Sequence, residues 1–275
     1  MEAQTTEHLH EKESHFHDQW ADSVRPDDVR VRESFEAPTA FENREILRQM
    51  GDLRGKRVLD VGGGLGESSV YFAIRGADVT YTDLSPGMAD FAAKLAAHHG
   101  VTIHTAVCAA EAVDTLGGNF DFVYIANTIH HVHDRPALLR AMHAALNPGG
   151  KFFSWDPIAY NPVINVYRRM ATDVRTPDEE PLRTKDVALA RTFFPDVKAR
   201  FFWIAGLAVF IKYYLMDRVH PNADRYWKRI FQETPKTLWW WMPLRAVDGI
   251  LTRLPGVKYL AWNVVMWGTK PRSAR

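Results

Sequence analysis

Four groups of side chains in this sequence could do chemistry. The first is Asp60-Val61-Gly62-Gly63-Gly64-Leu65-Gly66, an acid two residues before three alternating glycines. Glycine lets backbone N–H groups approach a ligand that a Cβ would hold away, and the helix-like run through Val70, Tyr71 and Phe72 would aim its N-terminus at that ligand. Asp60 could equally satisfy the turn's own N–H groups. The second is Asp83, 17 residues after Gly66, a carboxylate that offers two acceptor oxygens or caps the helix opening at Ser85-Pro86. The third is Asn127-Thr128-Ile129-His130-His131-Val132-His133. An imidazole titrates near neutrality, so His131 or His130 is a candidate general base, against capping or packing of the loop. No metal is expected there, because HHxH on a loop lacks Cys partners and helical i, i+4 spacing. The fourth is Asp156 and Tyr160, with Asn161 beside them, which follow an expected strand and would stand at the mouth of a cleft as substrate contacts.

The elements that must hold these groups alternate. Strands are expected over 57–61, 77–82, 102–108, 120–126 and 151–155, with helices over 67–75, 86–99 and 136–146 between them. Asn147-Pro148-Gly149-Gly150 supplies helix-stop and turn chemistry before the fifth strand. Such alternation predicts a Rossmann-like α/β fold, a seven-stranded and mostly parallel sheet with helices on both faces, its ligand beyond the carboxyl ends of the strands. Further along, helices are expected over 159–174 and 184–194, a sixth strand over 197–207 and the last over 259–269, with helical runs at 208–216, 223–231 and 244–254. Upstream, residues 1–19 read as a mobile end or the start of a helix. A helical cap from Phe16 breaks at 35–39 and resumes from Ala40 to Met50, with Gly51 as the stop. The organisation is then a tail and cap (1–50), a core (51–207), a hydrophobic, basic and Trp-rich insertion (208–258), and a final strand and tail (259–275).

The D-x-G-x-G-x-G pattern, with Asp83 and the Asn-Pro-Gly-Gly turn, resembles the class I S-adenosylmethionine (SAM) dependent methyltransferases, small-molecule branch. The likeness covers about residues 55–156. A dinucleotide fingerprint would place its third glycine at position 67, which is Glu67. The resemblance implies SAM as cofactor, S-adenosylhomocysteine as product, and a binding set of Asp60, Gly62, Gly63, Gly64, Gly66, Asp83, Leu84, Met88, Ala110, Glu111 and Asn127. In it Asp60 orients the amino-acid end, Asp83 takes the ribose hydroxyls, and Leu84 and Met88 flank the adenine. The acid that often reaches the adenine amino group is replaced here by Ala109. The loop after strand 4 does not resemble the N/D-P-P-Y/F signature of methylases acting on nucleic acid or protein.

Composition bounds the rest. One cysteine, Cys108, excludes an internal disulfide and suits the reducing cytoplasm, and no signal peptide is visible. A net charge of +1 gives no reason to expect nucleic acid. That balance hides an asymmetry: from Asp196 onward 14 Lys/Arg stand against 5 Asp/Glu, and seven of the nine tryptophans lie there. The apolar run 201–211 has eleven residues, short of the ~17–25 a bilayer span needs. Cations at Arg218, Arg225, Lys228, Arg229 and Arg245 among aromatic residues suit a lid, a membrane-surface element or an oligomer interface. The expectation is a methyltransferase acting on a small apolar or amphipathic acceptor such as a lipid, isoprenoid or aromatic metabolite. Its pocket would be roofed by Trp20, Phe35 and the insertion, with peripheral contact to an anionic membrane surface as a further option. The alternatives are a non-catalytic SAM-binding scaffold at a membrane surface, and a nicotinamide-dependent oxidoreductase.

Overall fold

The computed structural model describes residues 2–172, 179–220, 222 and 235–272, with side chains left out at 2–9 and 235–237. The helix expected over 223–231, with Arg225, Trp227, Lys228 and Arg229, lies outside the described residues.

Seven strands lie in the order β3-β2-β1-β4-β5-β7-β6. They are β1 (Arg57–Val61), β2 (Asp78–Asp83), β3 (His104–Val107), β4 (Phe120–Ala126), β5 (Leu146–Pro157), β6 (Lys198–Phe202) and β7 (Asn263–Thr269). The first five pair in parallel, and β7 runs antiparallel between β5 and β6. The carboxyl ends of six strands therefore share one edge, where β7 begins at Asn263 opposite Pro157 and Phe202. Strand order reverses between β1 and β4, so the crevice above them is the switch point at which open α/β sheets bind ligands.

Side chains alternate across the sheet with period two. Val58, Phe122, Tyr124, Phe153 and Val265 meet α3 (Phe41–Met50), α4 (Glu67–Ile74) and α5 (Pro86–His98) on one face. Leu59, Val61, Ile125, Phe152 and Val264 meet α6 (Arg135–Ala145) and α8 (Thr184–Phe193) on the other. Among the described residues the remaining helices are α1 (Glu2–Asp22), α2 (Glu33–Glu36), α7 (Pro162–Met170), α9 (Ala208–Ile211) and α10 (Pro235–Leu251).

Three departures from expectation each trace to a hydrogen bond. The helix after β5 starts at Pro162 and not at 159, because the Asn161 side chain caps Ile164 N. The sixth strand stops at Phe202, as Trp203 turns to φ +71° and the Asp248 carboxylate collects the N–H groups of Ile204, Ala205 and Gly206. The fifth strand is longer than 151–155, since the Asn-Pro-Gly-Gly turn is itself paired with Lys270 at the chain's end. At 212–216 the helix after α9 loosens into a π-helical turn, and the last strand begins at Asn263 after a 3-10 turn over Val257–Leu260. The N-terminal helix, α1, ends at Asp22, well before the break expected at 35–39, and a 3-10 turn over Pro26–Asp28 and the short α2 follow it.

Candidate functional site at the carboxyl edge of the sheet

The glycine turn joins β1 to α4. Asp60 is buried beneath it, and its Oδ2 accepts the hydroxyls of Ser68 (2.5 Å) and Ser69 (2.7 Å), which ties the strand to the helix's first turn. Burial pushes Asp60 up to about 6 despite those two donors. Gly62 and Gly64 both hold φ near +60°, where a side chain is strained. They differ in surroundings. A Cβ on Gly62 would sit 2.5 Å from Thr128 Cγ2, whereas one on Gly64 would meet nothing within 4 Å. The turn is thus packed against β4's loop at Gly62 and open at Gly64. Gly63 donates its N–H to Thr82 O, and Gly66 stands at the start of α4 with no side-chain cap.

Asp83 ends β2 and closes the site from the side. Its Oδ2 accepts Gly64 N–H and its Oδ1 accepts Ser85 N–H, both at 2.9 Å. An ionised carboxylate has about four lone-pair directions, so acceptor capacity remains for two hydroxyls. Burial pushes Asp83 upward, with the two backbone donors and His17 working against that. The cap of α5 is Ser85 and not Asp83, since Ser85 Oγ accepts Met88 N–H. Met88, expected beside an adenine, has no exposed surface and belongs to the core; Leu84 is half-buried, its carbonyl taken by Ser14 Oγ. Ala110 opens the 3-10 turn Ala110–Leu116 and packs on the core, and Glu111 reaches to within 4.0 Å of His10.

At the ends of β4 and β5 the chain gathers its titratable groups. Asn127 takes φ +55° and donates its N–H to Trp155 O, which turns the following residues into a 3-10 turn over Ile129–His131. His130 Nδ1 lies 2.8 Å from Asp156 Oδ1, which also accepts the His130 N–H. Asp156 is wholly buried, and that burial pushes it up to about 8. It therefore sits behind His130 and is not the substrate contact that its position in the sequence suggested. His131 Nδ1 pairs with Glu13 Oε1 at 3.0 Å. Burial works to lower His131, but the hydrogen bond and charge of Glu13 outweigh it, so the imidazole is held above its ordinary value. For Glu13 burial raises and the two histidines, 131 and 17, lower; the carboxyl ends well below its usual range.

The sequence reading set metal aside, yet the fold brings one ligand atom each of His130, His131 and Glu179 within 4.8 Å of one another. Glu179 lies far from the histidines in sequence, beyond the reach of a spacing motif. The two histidines have carboxylate partners in Asp156 and Glu13, and Glu179 Oε2 stands 4.0 Å from His130 Nε2.

The sequence placed Trp20 over the pocket, but Glu13 and Asp18 on the same helix were missed. Asp18 Oδ1 accepts Ser85 Oγ (2.5 Å) and Gly87 N–H (2.9 Å), and Glu13 bridges His17 and His131. The helix thus lies along the carboxyl edge, held at Leu84, Ser85, Gly87 and His131. For Glu13 the sequence signal was its i, i+4 spacing to His17. Also missed was Glu42, buried at the other end of this edge, whose Oε1 accepts Trp203 Nε1 and Asn263 Nδ2 at 2.7 Å each. Of the residues expected to roof the pocket, Trp20 is half-buried with its ring 5.8 Å from His17. Phe35 is core, stacked on Tyr71 at 4.3 Å and 1% exposed, so its role is packing. Tyr160 is 38% exposed and its hydroxyl accepts Thr184 N–H, tying the loop after β5 to α8.

Residues 58–150 match the family model described as a methyltransferase domain. The chain is 34% identical over 126 residues to phosphoethanolamine N-methyltransferase 3 of Arabidopsis thaliana, covering 45% of this chain and 26% of that protein. It is 40% identical over 107 residues to the ubiquinone biosynthesis O-methyltransferase of Xanthomonas oryzae pv. oryzae (strain PXO99A), covering 37% and 43%. The matched stretch thus spans less than half the length of these relatives. The solved Haemonchus contortus phosphoethanolamine N-methyltransferase 2, in complex with phosphomonomethylethanolamine and S-adenosylhomocysteine, superposes with TM-score 0.55 at 20% identity over 88% of this chain and 56% of that one. Magnesium protoporphyrin IX methyltransferase of Synechocystis PCC 6803, solved with S-adenosylhomocysteine, gives TM-score 0.51 at 14% identity over 92% and 83%. At those identities the shared feature is the fold.

Proposed function

We propose that this chain, which carries a class I SAM-dependent methyltransferase domain over residues 58–150, transfers a methyl group to a small apolar or amphipathic acceptor. The observation that carries the reading is the Asp83–Gly64 bond, which sets a two-oxygen acceptor beside a glycine turn that is open at Gly64. The residues present fit the cofactor. Asp83 keeps acceptor capacity for a ribose diol, and the uncapped start of α4 at Gly66 presents N–H groups and a positive dipole end to a carboxylate. Bound there, SAM supplies a methyl group on a positively charged sulfur.

What the chain supplies is placement. Asp60, through Ser68 and Ser69, fixes the turn; α1, bonded at Ser85, Gly87 and His131, covers the edge and excludes water. Alignment of two reactants in this way contributes on the order of 7–11 kcal/mol. Where the accepting atom must lose a proton, His130 or His131 is the base. Asp156 orients the first and Glu13 the second.

The apolar character of the acceptor is supported by the aromatic cluster over the same edge, where Phe41, Trp203, Phe210 and Trp241 pack together above the ends of β6 and β7. Two of the relatives are named for small-molecule methylation, of phosphoethanolamine and in ubiquinone biosynthesis, which agrees with an acceptor of that size. The oxidoreductase alternative has Glu67 where its fingerprint needs glycine.

Calorimetry tests the reading. SAM and S-adenosylhomocysteine should bind, and Asp83→Ala should weaken both by about tenfold or more, the loss of one charge-assisted hydrogen bond or two. Tighter binding of NADH would overturn it. Incubation with SAM and a lipid extract, read by mass spectrometry, should give a product heavier by one CH2; cofactor binding without any such product would point to the scaffold.

A further inference from the structure

Helix α10 wears its amphipathic pattern inside out. Trp241 and Asp248 face the body of the protein, the first buried among aromatic rings and the second capping 204–206. Trp239, Met242, Val247 and Ile250 face outward at i, i+3, i+8 and i+11, one helical face, with Trp239 75% and Ile250 63% exposed. Two neighbouring elements do the same. On α7 the outward stripe is Val163, Val166 and Met170, and on the turn after α9 it is Leu215 and Met216, 70% and 74% exposed. The three elements share one interior: Ile164 of α7, Phe210 of α9 and Trp241 of α10 lie in a single cluster, and Tyr167 meets Tyr214 at 5.4 Å. Their apolar outer sides therefore surround one interior cluster. Isolated exposed apolar residues mean little, but outward stripes on three elements packed around one cluster mark a docking face.

Charge says what docks there. Across 162–170, 208–218 and 235–260 the sequence has eight Lys/Arg and two acids, Asp217 and Asp248. Asp217 is paired with Lys212 at 2.6 Å, and Asp248 is turned inward. Arg169, Arg218 and Arg253 are exposed beside the apolar stripes, Trp239 among them, and that mixture is the composition of an element that lies in the interface of an anionic bilayer. Among the described residues no helix is long and apolar enough to cross a membrane, so the contact is with the surface.

We propose that the outer faces of α7, the turn after α9, and α10 dock on an anionic lipid surface. The patch stands on the same edge as the candidate site, because α7 follows the end of β5 and residues 204–206 follow the end of β6. If the methyl-transfer reading holds, a lipid-dissolved acceptor reaches the site without crossing water; docking itself does not depend on that reading.

Vesicle flotation of the full chain tests it, with neutral phosphatidylcholine liposomes and with liposomes carrying about 30% phosphatidylglycerol. The chain should float with the anionic vesicles and lose that binding as salt is raised. The triple substitution Leu215→Asp, Trp239→Asp, Ile250→Asp should weaken it by about tenfold or more, since each site is exposed and each aspartate meets both lipid and like charge. S-adenosylhomocysteine affinity, measured on both proteins, reports whether the site survives the substitutions. Equal flotation of the two proteins overturns the proposal. So does a salt-resistant dimer on size exclusion that the triple variant splits, which would make the face a subunit interface. Docking without any affinity for S-adenosylhomocysteine would instead sink the methyl-transfer reading alone.

Discussion

His130 Nδ1 and Asp156 Oδ1 stand 2.8 Å apart across the ends of β4 and β5, and the carboxylate is wholly buried. Adjacent parallel strands put them there: Ala126 lies opposite Trp155, so Asp156, the next residue of β5, stands beside the 3-10 turn that follows β4. The second oxygen, Asp156 Oδ2, has no hydrogen-bond partner. A buried carboxyl with one oxygen engaged and one orphaned is costly as an anion, which is why burial raises Asp156 to about 8. Below that pH the carboxyl holds its proton.

Asp156→Asn should therefore lower turnover by about a hundredfold while leaving the KM for SAM unchanged, because a base held in the wrong orientation loses most of its contribution. The sign of the pH effect follows from the proton on Asp156. In the wild type, activity should rise as pH approaches 8 and the carboxyl gives up its proton. Asparagine does not titrate, so the rising limb near pH 8 should disappear. A profile that keeps its limb near pH 8 in the variant would exclude Asp156 as the residue that orients the base.

The sequence made the glycine turn, Asp83, and the first four strands legible because each rests on neighbours within a few residues: alternating apolar positions, a turn that needs positive φ, a capping serine. Asp156 and Glu13 were not legible in their roles. Each acts on a histidine of a different element, 26 residues away in one case, and nothing in local spacing distinguishes an acid that points into solvent from one buried behind an imidazole. The same holds for Glu42, which reads as a polar helix residue until Trp203 and Asn263 close over it. Met88 and Phe35 failed in the opposite direction: side chains near the site in sequence are turned into the core by the helices that carry them.

Gly62 and Gly64 should separate packing from ligand approach. Both substitutions to alanine strain the backbone by about 1–2 kcal/mol. Gly62→Ala adds a clash, as the new methyl would lie 2.5 Å from Thr128 Cγ2 and 2.6 Å from its Oγ1. Its melting temperature should fall further, and Thr128→Ala should recover part of the loss. Gly64→Ala should cost only the strain in stability yet abolish calorimetric binding of SAM. Equal stability losses, with no rescue by Thr128→Ala, would show that the turn relaxes away from the loop.

The docking of α1 should depend on pH through Glu13 and His131. The histidine's value is raised in the folded protein, so its support is complete below about 6.5 and is lost as pH rises through the raised value. The glutamate's value is lowered, so its support is present above about 4.5 and is lost as pH falls. Amide protection in α1 should be greatest between those limits and fall by about tenfold at alkaline pH, after correction for intrinsic exchange. Glu13→Gln should flatten the profile. Protection that is unchanged across the range in the wild type would mean that Asp18 alone holds the helix.

Glu42 gives the clearest stability signal. The carboxyl is buried with both of its donors on one oxygen, and burial outweighs those donors to raise it to about 7. An acid whose value rises on folding binds its proton more tightly in the native state. Its stabilising effect is therefore complete below the ordinary 4.5 and is lost as pH climbs through 7. At 1.36 kcal/mol per pH unit over that window, the loss is about 3 kcal/mol. Glu42→Gln keeps an Oε1 that can accept from Trp203 and Asn263 and removes the titration. Denaturant unfolding at acid pH should find the two proteins alike, and at about pH 8.5 the variant should be the more stable. Other buried acids contribute the same slope to both proteins, so the difference between them isolates Glu42. Parallel stability curves would mean that the carboxyl stays ionised between its two donors, and that the neutral form has no part in holding α3 to the carboxyl edge.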